Sequence, residues 1–466
     1  MRAPATADPP PPDPAPPRGA EGARSSRLAG LRRTLAPPGL RLPRHRATTA
    51  HLCSAYPFQA AEGLGGRGVY LGTDHLAGGG AFCFDPFELY TQGVISSPNM
   101  LVVGQVGSGK SASVKTLLHR SVGVFSSPGG RPRWVAVLDP KGEYRPLASA
   151  LGLSVLDVYR GGPTRLNPLD AGPPGQGRGG REELEARRSA LEAALVASVL
   201  GRDLSPVEDA VVGWAISEVS ARRGATPTLA DVARLLAAPS AEMAERALAS
   251  ATELARSVDA ARYALGKLLD RDLRGMFDGP TTARIDWGGR GVVVDLSAIH
   301  HDPQALTLVM IATTAWLQAL MATADADDVP RRYQVSEEVW ALLASERVAR
   351  YYQATYKLSR SYGVSNIAVA HRISDLKAQA DDGTSTAKLA MGLLADTDVR
   401  VVFRQPSDQV AEATSLLGLT STEASLLPRL SKGRALWKVG GHTAVVQHVI
   451  APGEWALCNT DAHLTV

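Results

Sequence analysis

Short apolar runs alternate with longer stretches of helical spacing through most of the chain. The runs at 99–103, 133–138, 291–296, 332–335, 365–370 and 398–403 each predict a strand. Helical spacing predicts helices from Ala112 to His119, where Val114, Leu117 and Leu118 share one face, at about 341–361, and again before the strand at 398. The stretch Ala305 to Ala324 is uncharged and long enough to span a bilayer, but it carries Thr307, Thr313, Thr314, Gln318 and Thr323 and lies between two strand-like runs. It predicts a fully buried core helix. Strands alternating with helices predict an α/β chain with a mostly parallel, doubly wound sheet. Two antiparallel additions frame it: a hairpin at 68–72 and 81–85 with Gly78, Gly79 and Gly80 near its turn, and a final pair at 434–439 and 444–450.

Between the turn-like segment Arg165-Leu166-Asn167-Pro168-Leu169-Asp170 and the strand at 291 the pattern contains no strand. A Gly/Pro-rich break at 172–180 precedes an amphipathic helix, Arg181 to Leu200. Ser205-Pro206-Val207-Glu208 combines a capping Ser, a first-turn Pro and a Glu three residues on, which is a strong helix start. Further helices are expected at 228–237 and 240–272. Residues 1–48 are rich in Pro, Ala and Arg, and such a segment buries too little apolar surface to order itself. Its basic residues (Arg24, Arg27, Arg32, Arg33, Arg41, Arg44 and Arg46) read either as solvated or as touching nucleic acid or acidic lipid. The chain thus divides into a tail at 1–48, the first part of a core at 49–170, a helical insertion at 171–280 and the second part of the core at 281–466.

Composition adds little. The net charge of +4 over 466 residues argues neither for nor against a nucleic-acid partner. Cys53, Cys83 and Cys458 are odd in number and lack metal-ligand spacing, which predicts small buried hydrophobes in a reducing interior. The start of the chain has no signal-peptide apolar core, and the chain reads as soluble.

The strand at 99–103 runs into Gly104-Gln105-Val106-Gly107-Ser108-Gly109-Lys110-Ser111, which fits G-x-x-x-x-G-K-[ST] at every fixed position. Strand, glycine loop and helix is the context that motif needs. The glycines let successive N–H groups turn toward phosphate oxygens, and the helix beginning near Ala112 adds its positive end. Lys110 would reach the β- and γ-phosphates, and the Ser111 hydroxyl would hold Mg²⁺. The nucleotide-binding set is Gly104, Gln105, Val106, Gly107, Ser108, Gly109, Lys110, Ser111 and Ala112.

Ligands of parallel sheets lie beyond the carboxyl ends of the strands. Asp139, Ser297, Glu337, Glu338, His371 and Arg404 stand at those ends. Hydrolysis needs one carboxylate beside Mg²⁺ and another to orient water. Glu337 and Glu338 can serve both roles, and His371 can sense the γ-phosphate or hold the water. A mobile positive charge is also needed, for which Arg360, Arg372, Arg404 and Arg434 are candidates.

These motifs, with Asp139-Pro140-Lys141-Gly142-Glu143-Tyr144, Leu166-Asn167-Pro168-Leu169, Val294-Asp295-Leu296-Ser297, Glu337-Glu338-Val339-Trp340 and Leu358-Ser359-Arg360-Ser361-Tyr362-Gly363-Val364, resemble the TraC-like conjugation ATPases of type IV secretion systems. Those proteins belong to the HerA/FtsK group of P-loop motors. The resemblance runs from about residue 51 to the end. It implies a RecA-like ATPase core that uses ATP and Mg²⁺, assembles as a homo-oligomeric ring (a hexamer), and works with envelope secretion and conjugation proteins, with DNA as a candidate cargo. It implies a cytoplasmic location, extending to the inner face of the cell membrane. With Trp340 setting the register, Glu337 becomes the metal-side acid and Glu338 the water-orienting residue. The Gln of the family's next strand falls on His371, and its trans-acting arginine on Arg360.

Three departures stand out. Glu replaces the usual Asp at 337, His replaces Gln at 371, and only the Pro/Arg-rich tail stands where the family has a large N-terminal domain that helps dock the motor. Two alternatives therefore stay open: a cytoplasmic DNA translocase of the same fold group, and a nucleotide-gated scaffold that hydrolyses little.

Overall fold

The computed structural model describes residues 63–126, 131–170, 181–222, 226–283, 289–321, 330–339, 346–371, 392 and 396–458. The expected tail at 1–48, Trp340, Arg372 and the helix expected between 372 and 398 lie outside these residues. The strands are β1 (Val69–Asp74), β2 (Gly80–Phe84), β3 (Met100–Val103), β4 (Arg133–Asp139), β5 (Ser154–Asp157), β6 (Gly291–Asp295), β7 (Arg331–Ser336), β8 (Val364–Ala370), β9 (Val399–Phe403), β10 (Arg434–Val439) and β11 (His442–His448).

They form one 11-stranded sheet in the order β2-β1-β11-β10-β9-β3-β8-β7-β4-β6-β5. The half from β9 to β5 is parallel and the half from β2 to β10 is antiparallel. This is the RecA-like α/β core expected. The two antiparallel additions, separate in the sequence, are continuous: β1 pairs with β11. Pairing of chain segments so far apart leaves no local signature. The short edge strand β5 and the helices Pro86–Thr91 and Arg145–Leu151 were also not legible, being too short to show a period.

Strands β3, β4 and β6 are buried along their whole length, which is why their interiors read as apolar runs. Leu101, Val103, Trp134, Ala136 and Leu138 face one core, and Met100, Val102, Val135 and Val137 face the other. The first core receives the helix Pro303–Met321, whose Leu308, Met310, Ala312 and Leu317 have no solvent exposure. The stretch flagged for its apolar length is thus a core helix. Among the described residues no helix is long and apolar enough to cross a membrane.

The same core continues into the helices between β5 and β6. Arg181–Leu200 forms as expected, and Ser205 and Glu208 complete a reciprocal capping box. The single helix expected at 240–272 is instead broken into Ala241–Arg246, Ala251–Ser257 and Asp259–Lys267, followed by a π-helical turn at Leu268–Asp272. Ser240 and Ser250 each cap a new start, and Leu248 takes a left-handed φ of 52° between them. The Asn-Pro-Leu element ties this block to the sheet: buried Asn167 donates to Pro227 O at 2.9 Å and receives Leu169 N–H at 3.1 Å.

The antiparallel half holds His448 with its ring against Phe403 and Trp437. Nδ1–H donates to Gly433 O (2.9 Å) and Nε2 accepts from Trp437 Nε1 (3.2 Å), so the ring is neutral. Burial lowers its pKa from 6.5 to about 4. The unfolded chain therefore takes up this proton near 6.5 and the folded chain only near 4. Stability should fall as pH drops through that window, by at most about 3 kcal/mol. Urea midpoints compared at pH 7 and pH 5 should show a larger drop for the parent than for His448→Asn. Equal drops would remove His448 as a source.

Candidate active site

Register levels the carboxyl ends of the parallel strands. Val103 pairs with Ala370, Ala368 with Ser336, Ser336 with Leu138, and Asp139 with Asp295. The next residues along β3, β8, β7 and β4 are Gly104, His371, Glu337 and Pro140, so four neighbouring strands deliver the polar residues to one place. Lys110 and Glu338 follow strands two spacings apart, roughly 10 Å.

The glycine loop is shaped by its neighbours. Gly104 has φ 155°, and a Cβ there would stand 2.4 Å from Phe403 Cβ. Gly109 starts the helix Lys110–Phe125 with φ 110°, packed on Gly433. Gly433 N–H donates to Ser108 O at 2.9 Å, and Gln105 N–H to Arg404 O at 3.0 Å. Through Gly433, the network around His448 backs the loop. Lys110 Nζ folds onto the loop itself, donating to Gly104 O (2.5 Å) and Gln105 O (3.1 Å). Burial, with a smaller push from Lys141, lowers its pKa to about 8 against the opposing pull of Glu337, Glu338 and Glu143. These charges therefore share one field.

Glu337 and Glu338 are both buried but face different partners. Glu337 Oε1 accepts from Tyr144 Oη–H at 2.6 Å, and burial raises its pKa despite that bond. Glu338 has a left-handed φ of 56°, strain of a kind stored at functional sites. Its Oε1 lies 2.6 Å from Lys141 Nζ and 2.7 Å from His371 Nε2. Burial pushes the Glu338 carboxyl up, but the hydrogen bonds from His371 and Lys141 outweigh it and hold the pKa at about 2.

Asp139, expected at the site, instead shapes the loop after β4. It accepts the N–H groups of Lys141 (3.3 Å), Glu143 (3.1 Å) and Tyr144 (2.8 Å). Ser297 meets the same loop, its Oγ 3.3 Å from where a Cβ on Gly142 would stand. Three residues of the site carried no role in the sequence reading: Lys141, Glu143 and the buried Lys115, whose Nζ stands 5.0 Å from the Tyr144 ring centroid. Lys141 and Glu143 lay within the Asp-Pro-Lys-Gly-Glu-Tyr motif, which was the available signal.

Of the arginines, Arg404 is exposed beside the loop. Arg434 is taken up by Gln447 Oε1 (3.2 Å) and His75 (3.3 Å). Arg360 is exposed at the amino end of β8, where Nη1 donates to Ser96 O at 3.4 Å. It lies at the end of the sheet opposite the glycine loop and does not reach this chain's own site.

The residues suit a magnesium–triphosphate ligand. The cradle at Gly104 admits no Cβ, a cation on the loop is held only by carbonyls, and Ser111 and Glu337 offer the hard oxygen ligands that Mg²⁺ prefers. Among the described residues no group of three or more His, Cys, Asp or Glu side chains could hold a metal ion.

Fold and site together define a P-loop nucleotide-binding core of RecA-like fold. Residues 91–314 match the family model described as DUF87, "Helicase HerA, central domain". Among solved structures, VirB4 of Thermoanaerobacter pseudethanolicus superposes with a TM-score of 0.66 at 20% identity, covering 84% of this chain and 100% of that one. The bacterial conjugative coupling protein TrwB, lacking its first 70 residues, gives a TM-score of 0.54 at 14% identity, covering 76% of this chain and 85% of that one. TrwB in complex with ADP and Mg²⁺ gives 0.52 at 16% identity, covering 76% and 86%. No curated protein matches the sequence. The resemblance read from the motifs is thereby met in the fold and in the domain match.

Lys110→Ala removes the one cation the loop carries toward phosphate, and ATP affinity should fall about tenfold or more. Gly104→Ala should weaken ATP as well, because the loop must move off Phe403. Titration with a fluorescent ATP analogue reads both. Parent-like binding by Lys110→Ala would refute the placement of the site.

Proposed function

We propose that the chain is an ATP-binding and ATP-hydrolysing motor of a conjugative DNA-transfer or type IV secretion apparatus. The observation that carries this reading is the delivery of the glycine loop, His371, Glu337–Glu338 and the Lys141 loop by four adjacent strands, β3, β8, β7 and β4. The likeness in fold to VirB4, and to the conjugative coupling protein TrwB, which is known in complex with ADP and Mg²⁺, supports it.

In this reading Lys110 leaves the carbonyls of Gly104 and Gln105 for the phosphates, and the loop amides and the helix end at Ser111 bind the β-phosphate. Ser111 and Glu337 would hold Mg²⁺, which supplies charge neutralisation to the transferring phosphoryl group. Glu337 loses its burial penalty once a cation sits beside it. Glu338 orients the attacking water, with His371 beside it. Arg360, exposed at the opposite end of the sheet, acts on a neighbouring subunit's site within a hexameric ring. The helices between β5 and β6 form an insertion on this motor. Envelope secretion proteins and DNA are its partners, at the cytoplasmic face of the membrane.

The match to the HerA central domain favours a second reading, a DNA translocase of the cytoplasm. DNA-stimulated turnover in the absence of envelope proteins would support it.

Glu338→Gln should lower ATP turnover about a hundredfold or more while ATP still binds. Mass measurement should show the ring forming with ATP, and Arg360→Ala should leave the ring intact but reduce turnover. Turnover unchanged in Glu338→Gln would overturn the hydrolytic reading in favour of a nucleotide-gated scaffold.

A further inference from the structure

The phosphate-loop logic leaves Lys141 without a role, yet its ammonium lies 2.6 Å from Glu338 Oε1. Its backbone is fixed from below, since Asp139 gathers three N–H groups of the loop, including that of Lys141. Gly142 follows with a left-handed φ of 71°, close against Ser297 and Asp295. The side chain therefore leaves a defined anchor and points across the end of β7. Its Nζ lies 2.6 Å from Glu338 Oε1 and 2.6 Å from His371 Nε2, and His371 Nε2 lies 2.7 Å from the same Glu338 oxygen. The three groups come from three different strands, β4, β7 and β8, and meet on one carboxylate oxygen. The Lys141 ammonium, with three donors and no acceptor, gives one N–H to the carboxylate, while His371 Nε2, a single ring nitrogen, either donates to Glu338 or accepts from Lys141 according to its tautomer. The Glu338 side chain is 5% exposed against 31% for Lys141, so the carboxylate is the enclosed partner and the lysine reaches it from the open side.

Glu338 lies on left-handed backbone with φ 56°, which persists in a non-glycine residue only where its surroundings hold it. Its orientation is decided by its partners. A carboxylate that aims water at a phosphate must be held within a fraction of an ångström. It must also sit beside a second acid, Glu337, and an incoming polyanion, and Lys141 offsets part of that negative charge.

We propose that Lys141 is a positioning residue for hydrolysis, fixing the Glu338 carboxylate through Oε1 so that it can aim the attacking water. This rests on the ATPase reading above. Because Lys141 acts through Glu338, its removal should change the chemical step and not nucleotide binding.

The test compares the parent, Lys141→Met, Lys141→Gln, Glu338→Gln and the double variant Lys141→Met/Glu338→Gln. Lys141→Met should lower kcat about tenfold or more. The dissociation constant of a non-hydrolysable ATP analogue should stay within about twofold of the parent. In the Glu338→Gln background Lys141→Met should cost nothing further, since two residues acting as a unit are not additive. Far-ultraviolet dichroism and a melting curve establish folding, and Lys141→Gln, one atom shorter and uncharged and so also expected to lose rate, replaces Lys141→Met if that variant does not fold. A folded Lys141 variant with the parent's kcat overturns the inference. So does a fully additive loss in the double variant, which would mark a role independent of Glu338, or a loss of analogue affinity matching the loss of rate, which would mark a phosphate ligand. A parent protein that binds ATP but shows no turnover defeats the ATPase reading itself, a result distinct from failure at Lys141 alone.

Discussion

A carboxylate buried in a protein interior must be paired, hydrogen-bonded or neutralised, because desolvation opposes its charge. The site at the end of β7 turns on this constraint. Glu337 and Glu338 are adjacent, both enclosed, and solved differently: Glu337 by the Tyr144 hydroxyl and Glu338 by Lys141 and His371. Burial raises the first, while partners pull the second down. Two neighbouring acids in unlike environments have their pKa values pushed apart, so the pair does not titrate as one. The left-handed turn at Glu338 sends the two side chains to their separate partners.

What makes the constraint affordable is the sheet beneath it. Parallel strands buried on both faces end in register, so their last apolar residues form a level platform. Everything polar then emerges on one side of it. The antiparallel half does quieter work on the loop: Phe403 closes on Gly104, and Gly433, held by His448, closes on Ser108 and Gly109. The glycine loop is therefore not a free turn. It is clasped from the β9–β10 side while its open side faces His371 and Glu338.

The charged groups form a chain across the site, from Lys110 through Glu337, Glu338, Lys141 and Glu143, each felt by the others. Arg360 stands apart at the other end of β8. A single chain thus assembles the acid side of the site, with Arg404 exposed beside the loop and Arg360 at the opposite end of the sheet.

The glycine loop, the paired acids and the succession of strands along the chain were legible because each is local: a motif between a strand and a helix, and apolar runs whose ends can be read directly. The same holds for the helix Arg181–Leu200 and for Ser205, whose signals lie within a few residues. What the sequence could not settle depends on partners distant along the chain. Nothing local announces that β1 meets β11, that Gly433 backs the glycine loop, or that Lys141 of one strand end and His371 of another converge on a single oxygen of Glu338. Asp139 shows the same limit from the other side, since only the folded loop turns it from a candidate ligand into the acceptor of three backbone N–H groups. Spacing along the chain determined which residues reach the end of the sheet. The order of strands across the sheet, set by pairing between distant segments, decided which of them touch.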